Sequence, residues 1–479
     1  MPLSLHNSLT RSTEVFEPRD GHTVRVYGCG PTIYARAHIG NFRTFMVYDL
    51  LHRVLVRKGW DVRFVVNFTD VDDKTIEGAA QAGMSLAEYT VRHGEVFLED
   101  LDTLGIRPFA ETPRATRHVP EMVAWIERLE EAGLAYRADD GSVYFRISAF
   151  PSYGRLSGNR ADGESGRSRI DADEYDKDDV RDFVLWKAAR GADREVGAVW
   201  DSPWGPGRPG WHLECSVLSI SCLGDTLDIH LGGEDLLFPH HENEIAQSEG
   251  ATGQPFARFW VHTKHLRVEG QKMSKSIGNV YTIEDLLEQG HAPAAIRHLL
   301  ASAQYRKELN FTFDGLEGSA RAVERLVAFH RRLHEETRAE PGADEAGLAP
   351  LADRALRAFD AALDDDLNSS EALAALFVFL KDGNAALDRS GGVARPDELE
   401  AARAALASMD EVFGLVELAL RGDAVDDDLA AWVEEMIQER AAARNARDWG
   451  RADEIREALT ARGVVLEDTS QGTRWKRSG

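Results

Sequence analysis

One strand–helix–strand pattern near the start of the chain constrains its fold more than any other feature. Residues 22–30 ("HTVRVYGCG") and 60–70 ("WDVRFVVNFTD") are rich in β-branched and aromatic residues, and residues 43–59 between them show helical apolar spacing. Two strands joined by such a helix pair in parallel, and parallel sheets bind ligands at the carboxyl ends of their strands. The stretches at 29–41 and 67–73, which follow the two strands, are therefore candidate site loops.

The pattern changes twice further along the chain. Residues 85–136 have helical spacing, and "SVYFRIS" at 142–148 predicts a strand of an inserted element, with the sheet resuming near residue 186. The polar span 157–182 predicts an exposed loop. After about residue 305 amphipathic helices alternate with Gly- and Pro-containing breakers, so we expect an all-helical C-terminal half.

Length and charge limit the class of protein. The chain has 479 residues, more than one hydrophobic core supports, so two to four domains are expected. A net charge of -25 argues against a basic coat for non-specific nucleic-acid binding, although a local arginine-rich face could hold a phosphate backbone. No secretory signal pattern and no window of roughly 18 apolar residues is present, so we expect a cytoplasmic protein without a membrane span.

His38 and Asn41 lie three residues apart, where the loop after the first strand turns into a helix. The start of a helix has unpaired N–H groups and the positive end of the helix dipole, so it attracts phosphate. Gly40 would let a ligand approach closely. Taken alone, the motif is also consistent with a capped helix start and a solvated histidine.

Two lysines mark a second stretch that could meet phosphate. "EGQKMSKSIGN" at 269–279 places Lys272 and Lys275 on a glycine-flanked turn. A mobile loop of this kind can bring ammonium groups onto a polyphosphate and stabilise charge that develops during group transfer. The alternative interpretation is an ordinary exposed basic loop.

The most specific pattern predicts a metal site. In "FPHHENEIAQSE" at 238–249, His240 and Glu244 are spaced four apart and would project from one face of a helix. Cys29 and Cys215 could complete a set of two thiolates, one imidazole and one carboxylate. Zinc accepts all three ligand types, whereas magnesium and calcium prefer oxygen alone.

The neighbouring candidates have plainer interpretations. The chain has three cysteines, too few for a disulfide framework. Cys222 follows Cys215 by seven residues, about 10 Å along a helix, so it cannot share the ion and is interpreted as a small buried hydrophobic residue. His241 and Glu242 are interpreted as supports of the ligands or as helix surface.

Together these motifs resemble the class I aminoacyl-tRNA synthetases, and within that class the cysteinyl-tRNA synthetase family. The stretch at 29–41 is similar to that family's "CGPTVYDYAHIGN", and residues 272–276 match its KMSKS signature unaltered. The segments "GRPGWHLECS" at 207–216 and 238–249 match its zinc-bearing segments, and the resemblance extends through nearly the whole chain.

The sequence departs from the family pattern in two places. Ala35 and Arg36 replace the usual Asp-Tyr pair, which removes the acidic side chain. "HLGGED" at 230–235 replaces "HGGGSD" and keeps Asp235.

The resemblance implies ATP-dependent ligation of L-cysteine to its tRNA through a cysteinyl-adenylate, with one zinc ion selecting the substrate thiolate and Mg²⁺ accompanying ATP. The residues that it implies for these roles are Cys29, Cys215, His240 and Glu244 for zinc, His38, Asn41, Lys272 and Lys275 for catalysis and ATP, and Thr69, Trp211 and Asp235 for the amino acid.

The resemblance also implies an α/β architecture, in which a Rossmann-like parallel-sheet domain with an inserted subdomain precedes the helical tRNA-binding half. It further implies that the protein is a monomer. The expected parts are a catalytic domain at 1–305 with a connective insertion at about 110–185, a helical stem-contact junction at 306–340, a helical bundle at 341–420 and an anticodon-recognition domain at 421–479.

The last of these parts contains the candidate tRNA contacts. Four arginines recur every three or four positions in a helical pattern, which predicts a single face, and two tryptophans could stack on unpaired bases; they are Arg440, Arg444, Arg447, Arg451, Trp449 and Trp475. The alternative is a solvated face that balances neighbouring glutamates.

Two other classes of protein share part of these motifs. A ligase that passes activated cysteine to a small amine resembles a shortened synthetase, and the helical region after residue 305 argues against it. A catalytically silent RNA-binding paralogue would not be expected to keep His38, Asn41 and Lys275. A pyrophosphate-exchange assay separates the silent paralogue from both enzymes, and added tRNA separates the two enzymes.

Overall fold

The strand–helix–strand unit predicted near the start of the chain is confirmed in a computed structural model. The model describes residues 2–158, 181–274, 277–445, 448–462, 464–469 and 472–477. The first elements are β1 (Ser4–Asn7), β2 (Ser12–Val15), β3 (Thr23–Gly28), α1 (Ile39–Arg57), β4 (Asp61–Val66), α2 (Asp73–Ala82) and α3 (Leu86–Thr103). β3 and β4 pair in parallel with α1 as the crossover helix, and β1 and β2 form an antiparallel hairpin.

An inserted antiparallel sheet follows. Its elements are α4 (Val119–Glu131), β5 (Ala135–Arg137), β6 (Val143–Phe145), β7 (Phe183–Ala188), α5 (Gly191–Glu195) and β8 (Gly207–Pro209). The strands lie in the order β5-β6-β7-β8, and β6 is the strand predicted at 142–148. The sheet reaches Pro209, past residue 185, where we expected the insertion to end. Most of the predicted loop at 157–182 lies outside the described residues.

The chain then returns to the parallel sheet. The elements are α6 (Trp211–Leu223), β9 (Leu227–Gly233), α7 (Glu242–Thr252) and β10 (Ala257–Thr263). The sheet has the order β10-β9-β3-β4, and each neighbouring pair is parallel. The carboxyl ends of its strands therefore meet at one edge, where the candidate site loops lie.

A small second sheet carries the lysine loop, a name used here for residues 272–276. The elements around it are β11 (Leu266–Val268), β12 (Gln271–Lys272), α8 (Ile283–Glu288), α9 (Pro293–Ala301) and β13 (Leu309–Phe311). The strand order is β12-β11-β13, so the loop begins at the edge strand β12 and leads towards α8.

The helical C-terminal half is confirmed, with short strands added. It contains α10 (Phe313–Arg331), β14 (Arg338–Ala339), α11 (Leu348–Asp364), α12 (Ser369–Arg389), β15 (Val393–Ala394), α13 (Pro396–Phe413), α14 (Leu415–Asn445), α15 (Trp449–Ala461), β16 (Val464–Thr469) and β17 (Gly472–Arg477). β16 and β17 form an antiparallel hairpin, so the half is not entirely helical. The apolar residues of β16 are consecutive and β17 has only Trp475, so neither sequence shows the alternation that signals a strand.

A buried ionic cluster, here called the ionic lock, joins the parallel sheet to the helical half. It consists of Asp49 and Arg53 of α1 and Arg297 of α9. Asp49 Oδ2 accepts hydrogen bonds from Arg53 at 2.8 Å and from Arg297 at 2.5 Å. The other guanidinium nitrogens donate to the backbone carbonyl groups of Leu104, Gly105, Glu411 and Phe413. The lock thus ties α13 to the helix that packs on the parallel sheet.

Two large cores hold these parts together. One includes α1, the parallel strands and the helices from α9 to α13, and the other lies between the inserted sheet, α6 and α7. Among the described residues, no helix combines the length and apolar character needed to cross a bilayer.

A candidate metal centre and nucleotide site

The four residues predicted as metal ligands come together, and are called the metal cluster here. Cys29 directly follows β3, and Cys215 lies in α6. His240 lies in the turn before α7, and Glu244 lies in its first turn. All four are buried, and one ligand atom from each lies within 4.8 Å of the others.

The spacing of the metal cluster fits a small tetrahedral ion. The sulfur atoms of Cys29 and Cys215 are 3.7 Å apart, and Cys29 Sγ lies 3.5 Å from Glu244 Oε1. His240 Nε2 lies 3.1 Å from the same oxygen. Tetrahedral zinc with bonds of about 2.0–2.3 Å separates its ligand atoms by about 3.2–3.8 Å. The donor types and distances therefore suit zinc.

The electrostatics of the metal cluster also favour a cation. Burial, followed by the charges of Cys215 and Glu244, raises the pKa of the Cys29 thiol. Burial would lower the pKa of His240, but the charges of Glu244 and Cys215 outweigh it and raise this pKa to about 10. The cluster thus attracts positive charge, which a divalent ion would supply.

Two histidines outside the predicted ligand set contact the ligands and help to hold them in place. His230 Nε2 lies 2.8 Å from Glu244 Oε2, whereas the other carboxylate oxygen, Oε1, lies near Cys29. His241 Nε2 lies 3.4 Å from Cys29 Sγ, and its Nδ1 lies 2.8 Å from His262 Nε2. Cys29, His230, His241 and Glu244 also form a second possible ligand set. The set with both thiolates is the better match for zinc because thiolates are its softest protein ligands.

The sequence offered weak signals for these histidines. His230 lies in the middle of β9 and His262 next to the last residue of β10, each a buried polar residue in an apolar strand of the parallel sheet, which could have marked them. His241 and Glu242 are both fully buried, so the helix-surface interpretation of this pair is wrong and the supporting role remains.

Glu242 fixes the inserted element to the helix that carries Glu244. Its carboxylate accepts backbone hydrogen bonds from Gly154 at 2.9 Å, Leu156 at 3.1 Å and Ser157 at 2.8 Å. Three N–H donors on one carboxylate hold it firmly, since charge-assisted hydrogen bonds are stronger than neutral ones. The position of α7 is therefore set by the insertion as well as by the sheet.

Two of the residues assigned to the amino acid lie beside the metal cluster. The Trp211 ring stacks on His240, with centroids 4.3 Å apart and an interplanar angle of 25°. Thr69 Oγ1 accepts a hydrogen bond from the Asn67 amide at 3.3 Å, and Asn67 Oδ1 lies 3.6 Å from Cys215 Sγ. Asn67 was missed in the sequence, although it directly follows β4 and so lies at the ligand-binding edge.

The third such residue, Asp235, lies in the exposed turn that follows β9. Cys222 lies outside the metal cluster and is half-buried. Burial, together with Glu111, raises the pKa of its thiol to about 11. It is therefore a poor nucleophile and a poor metal ligand.

The start of α1 is built from the two residues predicted to bind ATP. His38 is the N-cap, and its Nδ1 accepts the Asn41 N–H at 3.3 Å. In return Asn41 Oδ1 accepts the His38 N–H at 3.1 Å. The two side chains form a capping box, which satisfies backbone groups that a phosphate would otherwise meet.

The lysine loop lies against this helix start. The end of the flexible Met273 side chain packs against Gly40, where a Cβ atom would meet it. Asn279 Oδ1 accepts the Ser274 N–H at 2.8 Å and Asn279 Nδ2 donates to the Lys272 carbonyl at 3.2 Å, which closes the loop on itself. The side chain of Lys272 is exposed, and Lys275 lies outside the described residues.

The predicted arginine face is interrupted. Arg440 and Arg444 belong to α14, whereas Trp449 and Arg451 belong to α15. Because the helix breaks between them, the prediction that the arginines line one helical face is wrong. Arg451 pairs with Glu439 and Glu454, as in the solvated alternative. Trp449 is 60% exposed. Arg447 lies outside the described residues, and Trp475 lies in β17.

Family models match most of the chain. Residues 15–321 match the tRNA synthetases class I (C) catalytic domain, residues 358–417 match the DALR domain, and residues 426–475 match the cysteinyl-tRNA ligase anticodon binding domain.

Curated relatives and solved structures agree with these models. A cysteine–tRNA ligase of Koribacter versatilis is 47% identical over 502 residues, and one of Solibacter usitatus is 49% identical over 477 residues, each alignment covering all of both chains. The fold is similar to that of Mycobacterium tuberculosis methionyl-tRNA synthetase in complex with methionyl-adenylate, with a TM-score of 0.59 and 17% identity over 82% of this chain and 90% of that one. The chain therefore belongs to the cysteine–tRNA ligase family of class I aminoacyl-tRNA synthetases.

Proposed function

We propose that this ligase activates L-cysteine with ATP as cysteinyl-adenylate, transfers it to tRNA, and selects cysteine through a zinc ion held by Cys29, Cys215, His240 and Glu244. The observation that carries the proposal is the buried metal cluster beside Trp211 and Thr69. The cluster belongs to the same site edge as the helix start at His38, because the loop after β3 carries both.

The need for a metal follows from the substrate. Cysteine and serine are near isosteres, and apolar pockets discriminate such differences by only about 10–200-fold. Zinc, when bound, would supply a centre that bonds a thiolate strongly and a hydroxyl weakly. The protein's part is to hold the ligands in place: His230 contacts Glu244 Oε2, and His212 Nδ1 lies 2.9 Å from His240 Nδ1.

Activation requires no protein nucleophile. The carboxylate of cysteine attacks the α-phosphate of ATP, accompanied by Mg²⁺, and pyrophosphate leaves. The N–H groups at the start of α1, with His38 and Asn41, would exchange their capping bonds for phosphate oxygens, and Lys272 and Lys275 would meet the charge that moves onto pyrophosphate. Asp235 would frame the amino acid from the turn after β9.

The second step concerns tRNA. A hydroxyl of its terminal ribose attacks the carbonyl carbon of cysteinyl-adenylate and takes the aminoacyl group, and AMP leaves. The C-terminal half binds the rest of the molecule. The proposed organisation is a catalytic domain at 1–305, a stem-contact junction at 306–340, a helical bundle at 341–420 and an anticodon domain at 421–479, acting as a monomer in the cytoplasm. Arg440, Arg444, Arg447, Trp449 and Trp475 are the candidate contacts.

The decisive experiment is charging of unfractionated tRNA with labelled cysteine and with labelled serine. We expect only cysteine to be incorporated. Incorporation of serine with equal efficiency would contradict selection by zinc. Cysteine-dependent pyrophosphate exchange without any charging of tRNA would instead indicate a small-molecule acceptor.

A truncated chain tests the second half of the proposal. A protein that ends near residue 420 keeps every residue assigned to activation, so it should still support cysteine-dependent pyrophosphate exchange. It should charge tRNA poorly, and its remaining binding of tRNA should weaken with salt. Charging at the rate of the whole chain would contradict the role of the C-terminal domain.

A further inference from the structure

Arg36 joins three separate parts of the catalytic domain. It lies in the loop between β3 and α1, two residues before His38. Its guanidinium donates two hydrogen bonds to Asp100 of α3, at 3.1 Å from Nε and at 2.7 Å from a terminal nitrogen. Its other terminal nitrogen is paired with Glu284 of α8. Arg36 therefore bridges two helices that are distant in sequence.

The two contacts of Arg36 differ in strength. The Asp100 side chain is only 3% exposed, and a bidentate pair between arginine and a buried carboxylate fixes the geometry of both groups. The Glu284 side chain is 55% exposed, so its pair with Arg36 is screened by salt and opens easily. Arg36 is thus firmly attached to α3 and holds α8 through a weaker contact.

α8 is the helix that follows the lysine loop, and the segment between them already touches the start of α1. The Ile39 N–H donates to the Tyr281 carbonyl at 2.9 Å. His38 forms an isolated β-bridge with Thr282, the N-cap of α8. Met273, at the other end of the loop, packs on the first turn of α1. The contact between Arg36 and α8 therefore adds a side-chain restraint to a short backbone one.

We propose that Arg36 is a positioning residue for cysteine activation, which holds the lysine loop in register with the phosphate-binding start of α1. The inference rests on the proposed function, in which both segments meet ATP. A restraint on α8 limits the positions of Asn279, which is hydrogen-bonded to Ser274 and Lys272, so the Lys272 ammonium group is in place more often when ATP binds. Thr69 and Trp211 lie on other elements, and the loop that carries Cys29 stays attached to Asp100 when only the contact with Glu284 is lost, so the KM for cysteine should not change.

The test is Glu284→Ala in the full chain, because it removes the exposed contact and leaves the buried pair intact. The rate of pyrophosphate exchange is measured as a function of ATP concentration and as a function of cysteine concentration. We expect the kcat/KM for ATP to fall about two- to five-fold, the range of an exposed ion pair, with an unchanged KM for cysteine and unchanged zinc content. Glu288→Ala, at the exposed end of the same helix, is the matched control and should change neither constant.

A second variant separates positioning from general weakening of the fold. Arg36→Lys keeps the charge but cannot bind both carboxylates together, so it should lower kcat/KM for ATP at least as much. Adding Glu284→Ala to it should cause little further loss. Unchanged ATP dependence in Glu284→Ala, or an equal shift in KM for cysteine, would overturn the proposal. No cysteine-dependent exchange in the wild-type chain would overturn the proposed function itself.

Discussion

The metal cluster and the ionic lock are both buried sets of charged groups, yet they are built differently. In the lock, the guanidinium nitrogens of Arg53 and Arg297 donate hydrogen bonds to oxygen atoms. Asp49 accepts hydrogen bonds from both side chains and from the Arg107 N–H. In the metal cluster, two thiols and a carboxylate lie around one imidazole. The lock is complete by itself, whereas the metal cluster gathers three groups that can donate electron pairs to an ion around a single imidazole.

A buried structural cluster and a binding site differ in whether the chain supplies every partner of the charged groups. Buried charge is tolerated when the chain supplies every partner, and then it holds elements together. Where the chain groups several electron-pair donors and few cations, the missing partner is a ligand. Mutations should therefore lower stability in the ionic lock and activity in the metal cluster.

The largest effect is expected in the lock. Asp49→Asn leaves Arg53 and Arg297 without their shared carboxylate, and breaking a buried ion pair typically costs about 3–5 kcal/mol. We expect a loss of this size in the free energy of unfolding, measured by urea denaturation. The zinc content of the folded protein should be unchanged.

A matched control is the more exposed ion pair between Arg57, at the end of the same helix α1, and Asp360 of α11. Asp360→Asn breaks the pair with Arg57, in which the Asp360 side chain is 44% exposed, so it should cost about 0–1 kcal/mol. If Asp49→Asn costs no more than Asp360→Asn, the ionic lock does not hold the helical half in place.

The next effect is expected in the metal cluster. Cys215→Ser replaces a thiolate by a hydroxyl, so zinc content should fall from about one per chain towards zero and cysteine activation should fall about 100-fold or more. Metal analysis and pyrophosphate exchange measure the two quantities. Cys222→Ser, outside the cluster, should keep both. Full activity of Cys215→Ser without metal would contradict the assignment.

The two clusters also differ in how well the sequence predicts them. The metal cluster was predictable because its residue types are rare and one pair has helical spacing, and because the strand pattern places Cys29 at a ligand-binding edge. The lock left no such signal. Asp49 and Arg53 resemble any helical pair spaced four apart, and their partner Arg297 is 244 residues beyond Arg53. Contacts of that range have no local pattern.

The same reasoning explains the other differences. His230 and His262 support the metal cluster through contacts that depend on how β9 and β10 pair, which the sequence does not display. The break between α14 and α15 depends on Asp448, which caps the second helix by accepting the Arg451 N–H at 3.1 Å. The apolar pattern continues across this position, so periodicity alone predicted one helix.

The pH dependence of the lock is a smaller effect. Burial raises the pKa of Asp49, but Arg297 and Arg53 outweigh burial and hold this pKa below its usual value. Because the pKa is lower in the folded state, the carboxylate stabilises the folded protein fully when the pH is above the unfolded pKa of about 3.9. This stabilisation is lost as the pH falls through the folded pKa. The difference in unfolding free energy between wild type and Asp49→Asn should therefore be constant from about pH 8 to 5 and shrink only below about pH 4. A decline that begins near neutral pH would contradict the ion pairing.

The smallest effect is expected at Arg451, which belongs to neither kind of cluster. Its guanidinium is exposed and pairs with Glu439 at 2.8 Å and with Glu454 at 2.9 Å, so water and two carboxylates already satisfy it. Arg451→Ala should change the free energy of unfolding by about 0–1 kcal/mol, because exposed ion pairs contribute little to stability. It should change tRNA affinity by less than about two-fold, because an arginine already paired with carboxylates attracts phosphate weakly. Urea denaturation measures the stability, and filter binding at two salt concentrations measures the tRNA affinity. Trp449→Ala is the comparison, since stacking of a base on that exposed ring would contribute about 1–3 kcal/mol to binding. If Arg451→Ala weakens tRNA binding more than Trp449→Ala and lowers its salt dependence, the arginine exchanges its glutamates for phosphate and is part of the binding site.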